Sequence, residues 1–386
     1  MFGDRAVAPA LATAFAVSCA VSTAQQSRYR DRVFARTTVY SDVLYGAAVH
    51  RYTGQTVPLR LDLYEPTGDA EPLRAALLVV HGGGFWSGSK SEPVIVQLAQ
   101  DLAQRGYVVA SIDYRLRPTR GDVTYQDVVD ASHDLKAAVR WLRRFALPLR
   151  IDRARVAAVG GSAGAVTALE AAYVPGAGSS GNPGYSSRLA AVVSLWGFLW
   201  DESQLDPGEP PVSIVHGTND PIVPFARAQA LRAAAAAAGV GHEFHPMLGQ
   251  GHAAFAEYLR SYHDDTVAFL WERLWLALRS GLAATAVPGE VRITTFGVAG
   301  DFWAPLVAAR PAFIPFGRFG VLGLDPSSLR VLSVQRLSGA TRLPSSTLRV
   351  PVPGPLQPPS VAIQAVHADA AGQLRLLTNA VVTVSP

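Results

Sequence analysis

The chain has 386 residues, of which 49% are hydrophobic and only 17% charged, so it can bury a large core and is not a disordered, solvating polypeptide. Its formal net charge is +4, and apart from Arg143-Arg144 the basic residues are scattered, with Lys90 and Lys136 the only lysines. That pattern points away from a nucleic-acid partner. The single cysteine, Cys19, excludes an intramolecular disulfide.

The N-terminus has the layout of a secretory signal peptide over residues 1–24. Arg5 lies in a short leading region, residues 6–21 are apolar and small, and Ser22-Thr23-Ala24 offers small residues for cleavage after Ala24. The run is too short to span a bilayer, and no other segment reads as a membrane span. Ala16-Val17-Ser18 before Cys19 makes a poor lipid-attachment signal, because the usual Leu is missing. Export to the periplasm or medium is therefore expected ahead of lipid anchoring at Cys19.

Residues 37–280 alternate short apolar runs with helical periodicity. Strands are predicted over 38–49 and 57–64 as a hairpin, then over 75–81, 107–114, 156–159, 189–196, 212–216 and 242–247. Helices are predicted over 91–105, 125–145, 165–172, 226–238 and 258–279. Strands alternating with helices imply an α/β fold, with a mostly parallel sheet covered by helices on both faces. The Gly/Ser-rich stretch 174–187 joins a helix back to a strand and reads as a connector at the sheet's N-terminal edge. The loop 197–211 follows a strand, at the edge where open α/β sheets bind ligands. Residues 281–289 read as a small-residue linker. Beyond it, β-type stretches at 291–296, 312–314, 329–333, 346–350, 361–366 and 381–384 suggest a small C-terminal β-sandwich-like domain over 290–386.

Four motifs fall at predicted strand ends. The first is Gly160-Gly161-Ser162-Ala163-Gly164, between a strand and a helix. A serine hydroxyl becomes a useful nucleophile only when exposed and paired with a base, and a tight glycine-flanked turn exposes it. The second is His81-Gly82-Gly83-Gly84-Phe85-Trp86. Consecutive glycine amides there can stabilise an oxyanion, at about 3 kcal/mol per donor. Gly83, Gly84 and Ala163 are assigned that role, and His81 is read as a loop-fixing residue. The third is His216-Gly217-Thr218-Asn219-Asp220-Pro221, in which Asp220 can orient a base. Asp201 and Asp206 are the rival acids, and His216 reads as structural. The fourth is Gly249-Gln250-Gly251-His252 after the last strand of this region, and His252 is the candidate base. No spacing typical of metal or dinucleotide sites occurs, so neither a metal nor another cofactor is implied.

The order Ser162, Asp220, His252 is that of the α/β-hydrolases. Taken together, HGGGFWSGSK, GYVVASIDYRL, VAAVGGSAGA, HGTNDPIVP and the GQGH loop resemble secreted esterases of that superfamily. The similarity is to the BD-FAE-like (acetyl-xylan and feruloyl esterase-like) and hormone-sensitive-lipase-like carboxylesterases, over roughly residues 37–279. The resemblance implies Ser162 as nucleophile, His252 as base, Asp220 as acid and an ester substrate, small or polysaccharide-linked. Ala165 departs from it, since many members carry glycine there, which bears on the pocket floor. The C-terminal stretch resembles β-modules appended to secreted bacterial proteins, implying a surface or carbohydrate contact. Two other readings stay open: a serine exopeptidase of prolyl-oligopeptidase type, and a non-catalytic binding protein on the same scaffold. Phe85, Trp86, Phe198 and Trp200 are candidates either for pocket walls or for core.

Overall fold

The computed structural model describes residues 28–276 continuously and, beyond them, a set of β-strands. The signal-peptide reading of residues 1–24, with Cys19, lies outside the described residues. The chain divides into two compact units at Trp275/Leu276.

The first unit is built on an eight-stranded sheet in the order β1-β2-β4-β3-β5-β6-β7-β8. β1 (Thr37–Val49) and β2 (Thr56–Pro66) form the expected antiparallel hairpin. β2 runs antiparallel to β4 (Val108–Ile112). From β4 onward the sheet is parallel through β3 (Arg74–Val80), β5 (Ile151–Gly161), β6 (Val192–Leu195), β7 (Val212–Gly217) and β8 (His242–Met247). Helices connect them: α1 (Pro93–Gln104), α2 (Tyr125–Arg144), α3 (Ala163–Tyr173), α4 (Phe225–Ala237), then α5 (Phe255–Ser261) and α6 (His263–Trp271) after β8.

The parallel strands read as unbroken apolar runs because both faces of the sheet are buried. Ala76, Leu78, Val80, Ala110, Ile112, Val156 and Ala158 pack into one core with Val128, Leu135, Val139 and Leu142 of α2 and Val166 and Leu169 of α3. The alternate residues Leu77, Val79, Val109, Ala157, Val159 and Val193 are equally buried outside that cluster. On α1, Ile95, Leu98 and Leu102 are buried, and this helix packs on β2, β3 and β4.

The predicted 258–279 helix is instead interrupted. Tyr262, with φ −128° and ψ −12°, separates α5 from α6, and a π-helical turn spans Glu272–Leu276. The 174–187 segment is tied down by α2 cations reaching its carbonyls. Lys136 Nζ donates to Val174 O at 2.7 Å and Arg143 Nη1 to Ser186 O at 2.6 Å, while Arg140 Nε donates to Gly181 O at 2.9 Å.

In the second unit, Gly281–Val287, Glu290–Phe296 and Ser345–Pro351 form one antiparallel three-stranded sheet. Phe302–Ala308 and Val361–Ala368 pair antiparallel at the centre of another. The expected linker over 281–289 is thus largely a strand. Its alternation is hidden in the small side chains of Gly281-Leu282-Ala283-Ala284-Thr285-Ala286-Val287, while Thr285 and Val287 are good strand formers.

Candidate active site

β5 ends at Gly161 and α3 begins at Ala163, so Ser162 alone makes the turn between them. It does so with φ 52° and ψ −121°, a conformation L-residues rarely adopt. The bend survives because it is held on both sides. Ser162 N donates to Leu195 O at 2.9 Å, and Ser162 O accepts from Ala165 N and Val166 N at 2.9 and 3.0 Å. Two glycines make room for it. A Cβ on Gly160 would fall 2.2 Å from Gly164 O, and one on Gly164 would fall 2.2 Å from Val80 O. Gly161, between them, would meet only ordinary contacts at 3.4 Å. The spacing of GxSxG is therefore a packing requirement of this turn, met at the first and last positions.

His252 bridges the other two residues. Its Nε2 lies 2.8 Å from Ser162 Oγ and its Nδ1 lies 2.7 Å from Asp220 Oδ2. The carboxylate can only accept, so Nδ1 carries the hydrogen and Nε2 is left to accept from the serine hydroxyl. Asp220 is buried, and its other oxygen accepts from Ile222 N and Val223 N, both at 2.9 Å. Those amides hold the carboxylate in one orientation, a charge-assisted arrangement.

The loops that carry Asp220 and His252 are joined to each other. Thr218 N donates to Met247 O at 3.0 Å, Asn219 N to Gln250 O at 2.9 Å, and Gly249 N to Thr218 Oγ1 at 2.8 Å. A Cβ on Gly217 would lie 2.4 Å from Gln250 O, so this glycine permits the approach. Neither Gly217 nor Thr218 has a local sequence signature for this role, because the contact joins β7 and β8 loops.

His216 is fully buried beside Asp220. Its Nε2 donates to Val223 O at 2.9 Å and sits 3.3 Å from Asp220 Oδ2. Burial pushes this imidazole below its ordinary pKa, so it stays neutral at pH 7. The rival acids are elsewhere engaged or placed. Asp201 is exposed and accepts from Ser203 N at 3.0 Å and Ser203 Oγ at 2.7 Å, capping a short 3₁₀ turn (Glu202–Gln204). Asp206 O closes a turn with Glu209 N, and no bond joins either acid to His252.

The glycine loop after β3 reaches the same place. Gly83, Gly84 and Phe85 take φ of 102°, 64° for Phe85 and 61° for Gly84. A Cβ on Gly83 would collide with Ser87 O at 2.0 Å, and one on Gly88 with His81 Nδ1 at 2.4 Å. His81 fastens this loop. It is buried, donates from Nδ1 to Gly82 O at 2.8 Å and stacks on Tyr114 with centroids 4.4 Å apart. Among the described residues, the Gly83 and Gly84 amides make no hydrogen bond. Ala163 is the first residue of α3, where an amide has no carbonyl one turn back to bond.

These strand-end loops surround a cavity of about 410 Å³. Gly82, Gly83, Gly84, Ser162 and His252 line it together. A family model described as BD-FAE matches residues 61–199. In its sheet order and in this match the unit is similar to α/β-hydrolases of BD-FAE type. Among curated proteins, the chain is 41% identical to ethyl acetate hydrolase of Pseudomonas putida over 114 residues, 29% of this chain and 32% of that protein. It is 26% identical to the esterase LipQ of Mycobacterium tuberculosis, over 60% of this chain and 64% of that one. The chain thus spans less than two thirds of either relative. Among solved structures, a thermophilic esterase of the planctomycete Thermogutta terrifontis, Est2, superposes with a TM-score of 0.49 at 28% identity, covering 58% of this chain and 91% of that one.

Around this cavity, the aromatic candidates divide. Trp86 lines the cavity and Phe85 is buried in the core. Phe198 and Trp200 pack on the core's edge, away from the cavity lining. Much of the rest of the wall comes from residues without a sequence signature: Glu92, Ile95, Trp196, Ile222 and Phe255. Trp196 and Phe255 meet edge to face at 4.7 Å, behind the serine turn. Ala165, the departure from the family pattern, does not line the cavity. Its methyl is buried against Gly197, where a Cβ would fall 2.4 Å away, so glycine at 197 accommodates alanine at 165. Among the described residues, no helix is long and apolar enough to cross a membrane.

Proposed function

We propose that the chain is a serine esterase that hydrolyses carboxylic esters through an acyl-enzyme. The observation that carries this is the His252 ring, within 2.8 Å of Ser162 Oγ and 2.7 Å of Asp220 Oδ2. In this reading His252 Nε2 takes the Ser162 proton as Oγ attacks the ester carbonyl carbon. Asp220 stabilises the resulting imidazolium and fixes its orientation. The amides of Gly83, Gly84 and Ala163 receive the oxyanion. As it collapses, His252 returns its proton to the leaving alkoxide and an ester to Ser162 remains. Water, deprotonated by His252, then attacks that ester and releases the acid, regenerating Ser162.

The BD-FAE match and the two curated esterase relatives support an ester rather than an amide substrate. The cavity is mostly walled by apolar side chains and about 410 Å³, which suits a short acyl group and a small alcohol. Export through residues 1–24, and a surface or carbohydrate contact by the second unit, are part of the same proposal. Both rest on the sequence pattern alone. Ser162→Ala tests the core of it. Turnover of p-nitrophenyl acetate and butyrate should fall by about 10⁴-fold or more, and unchanged turnover refutes the assignment.

A further inference from the structure

We infer that Glu92 makes this cavity selective for esters that carry a positive charge, an inference that rests on the esterase reading of the same site. Among the residues lining the cavity, Glu92 is the only carboxylic acid, and no Lys or Arg lines it. Glu92 immediately precedes α1, and its side chain makes no cap hydrogen bond to that helix. Its carboxylate makes no hydrogen bond and no ion pair among the described residues. The lysine two residues before it, Lys90, is bound to other acids. Asp113 accepts from Lys90 N at 2.7 Å, Asp62 takes Lys90 Nζ at 3.0 Å, and Asp42 takes the same Nζ at 2.9 Å. Glu92 is thus a half-buried carboxylate left unneutralised, facing the space where an ester must sit beside Ser162.

The opposite requirement of a cation site, an aromatic face, is also present. Trp86 lines the same cavity and is 41% exposed. Its ring already accepts one cation, the Arg120 guanidinium, 5.8 Å from the centroid. A carboxylate together with an indole is the combination that recognises ammonium groups, quaternary ones included. Of the other lining residues, Ile95, Trp196, Ile222 and Phe255 are large and apolar. They favour the methyl groups of a trimethylammonium over a strongly hydrated primary amine. The reaction itself is unchanged: the ester's acyl–oxygen bond breaks and water supplies the hydroxyl. Only the substituent is selected.

The test compares charged esters with neutral isosteres, using the full chain. Butyrylcholine against 3,3-dimethylbutyl butyrate places the charge in the alcohol. Methyl 4-(trimethylammonio)butyrate against methyl 5,5-dimethylhexanoate places it in the acyl group. In at least one pair, kcat/KM should favour the cation by about fivefold at low salt, the size expected for one partly solvated charge pair. Glu92→Gln should bring that ratio close to unity, and about 1 M NaCl should erode it in the unmodified chain. The ratio cancels any change common to both esters. Hydrolysis of the neutral esters with no cation preference, or a preference that survives Glu92→Gln, overturns the assignment of Glu92 and leaves the Ser162 reading intact. Hydrolysis of none of them overturns both.

Discussion

Replacing Gly164 with alanine adds one methyl group at the first turn of α3, and the structure gives that methyl nowhere to go. The new Cβ would lie 2.2 Å from Val80 O, 2.5 Å from His81 O and 2.7 Å from Val80 C. All three are backbone atoms of β3 and its end, so no side-chain rotation relieves the clash. α3 must instead move away from β3 by about 1 Å, and Ser162, one residue before the helix, moves with it. Overpacking of this kind costs about 3 kcal/mol, which lowers Tm by roughly 6–12 °C for a unit of this size. If Ser162 is the nucleophile proposed above, a displacement of about 1 Å there lowers kcat by about 100-fold. Gly160→Ala meets backbone of the other side of the turn, Gly164 O at 2.2 Å and Ala165 N at 2.6 Å, and should behave alike, whereas Gly161→Ala meets only contacts at 3.4 Å and should fold normally. Thermal unfolding by circular dichroism and p-nitrophenyl butyrate kinetics on the full chain would read both effects. A Gly164→Ala chain with unaltered Tm and kcat would refute the packing argument for the serine turn.

Asp220→Asn should lower kcat/KM by about 10⁴-fold at neutral pH, because the amide cannot enforce the same tautomer of His252, while Asp201→Asn should leave it unaltered; the reverse pattern would make Asp201 the acid. His216→Leu removes the N–H that Val223 O and Asp220 share. A hydrogen bond at a charged group is worth about 1.5–3 kcal/mol, so kcat/KM should fall about tenfold or more, and no change would show the contact to be idle. Asp101 links α1 to α6. It accepts from Arg105 Nε and His263 Nε2, each at 2.7 Å. Burial would raise its carboxyl pKa, but the bonds from His263 and Arg105 outweigh burial and hold it well below the usual carboxylate range. A depressed pKa stabilises the fold above the ordinary aspartate value and loses that effect as pH falls through the folded one. Asp101→Asn should therefore cost about 3 kcal/mol at pH 7, measured by urea denaturation, and the deficit should shrink toward pH 2; a deficit independent of pH would contradict the linkage.

What the sequence makes legible here is what local sterics and short-range patterning decide. The unbroken runs at β3, β4 and β5 reveal strands buried on both faces, and glycines 160 and 164 mark a turn that only they permit. Glycines 83 and 88 do the same for the loop after β3. The rest depends on chain segments that meet only after folding. Nothing local marks Gly217 as the point where two loops touch, or Glu92, Trp196 and Phe255 as walls of one cavity. Local patterning also fails where its signals conflict. Pro305 breaks the apolar run of Phe302–Ala308, which nevertheless pairs as a strand. Small side chains likewise conceal the strand Gly281–Val287. The separation of α5 from α6 at Tyr262 is equally unmarked, since no proline or glycine stands there.

Covalent trapping tests the proposed chemistry most directly. A fluorophosphonate incubated with the full chain, followed by digestion and mass spectrometry, should leave one adduct, on Ser162. Labelling should vanish in Ser162→Ala and slow sharply in His252→Ala. An adduct on a different serine, or an intact protein mass that does not change under conditions that label a known serine hydrolase, would contradict the account.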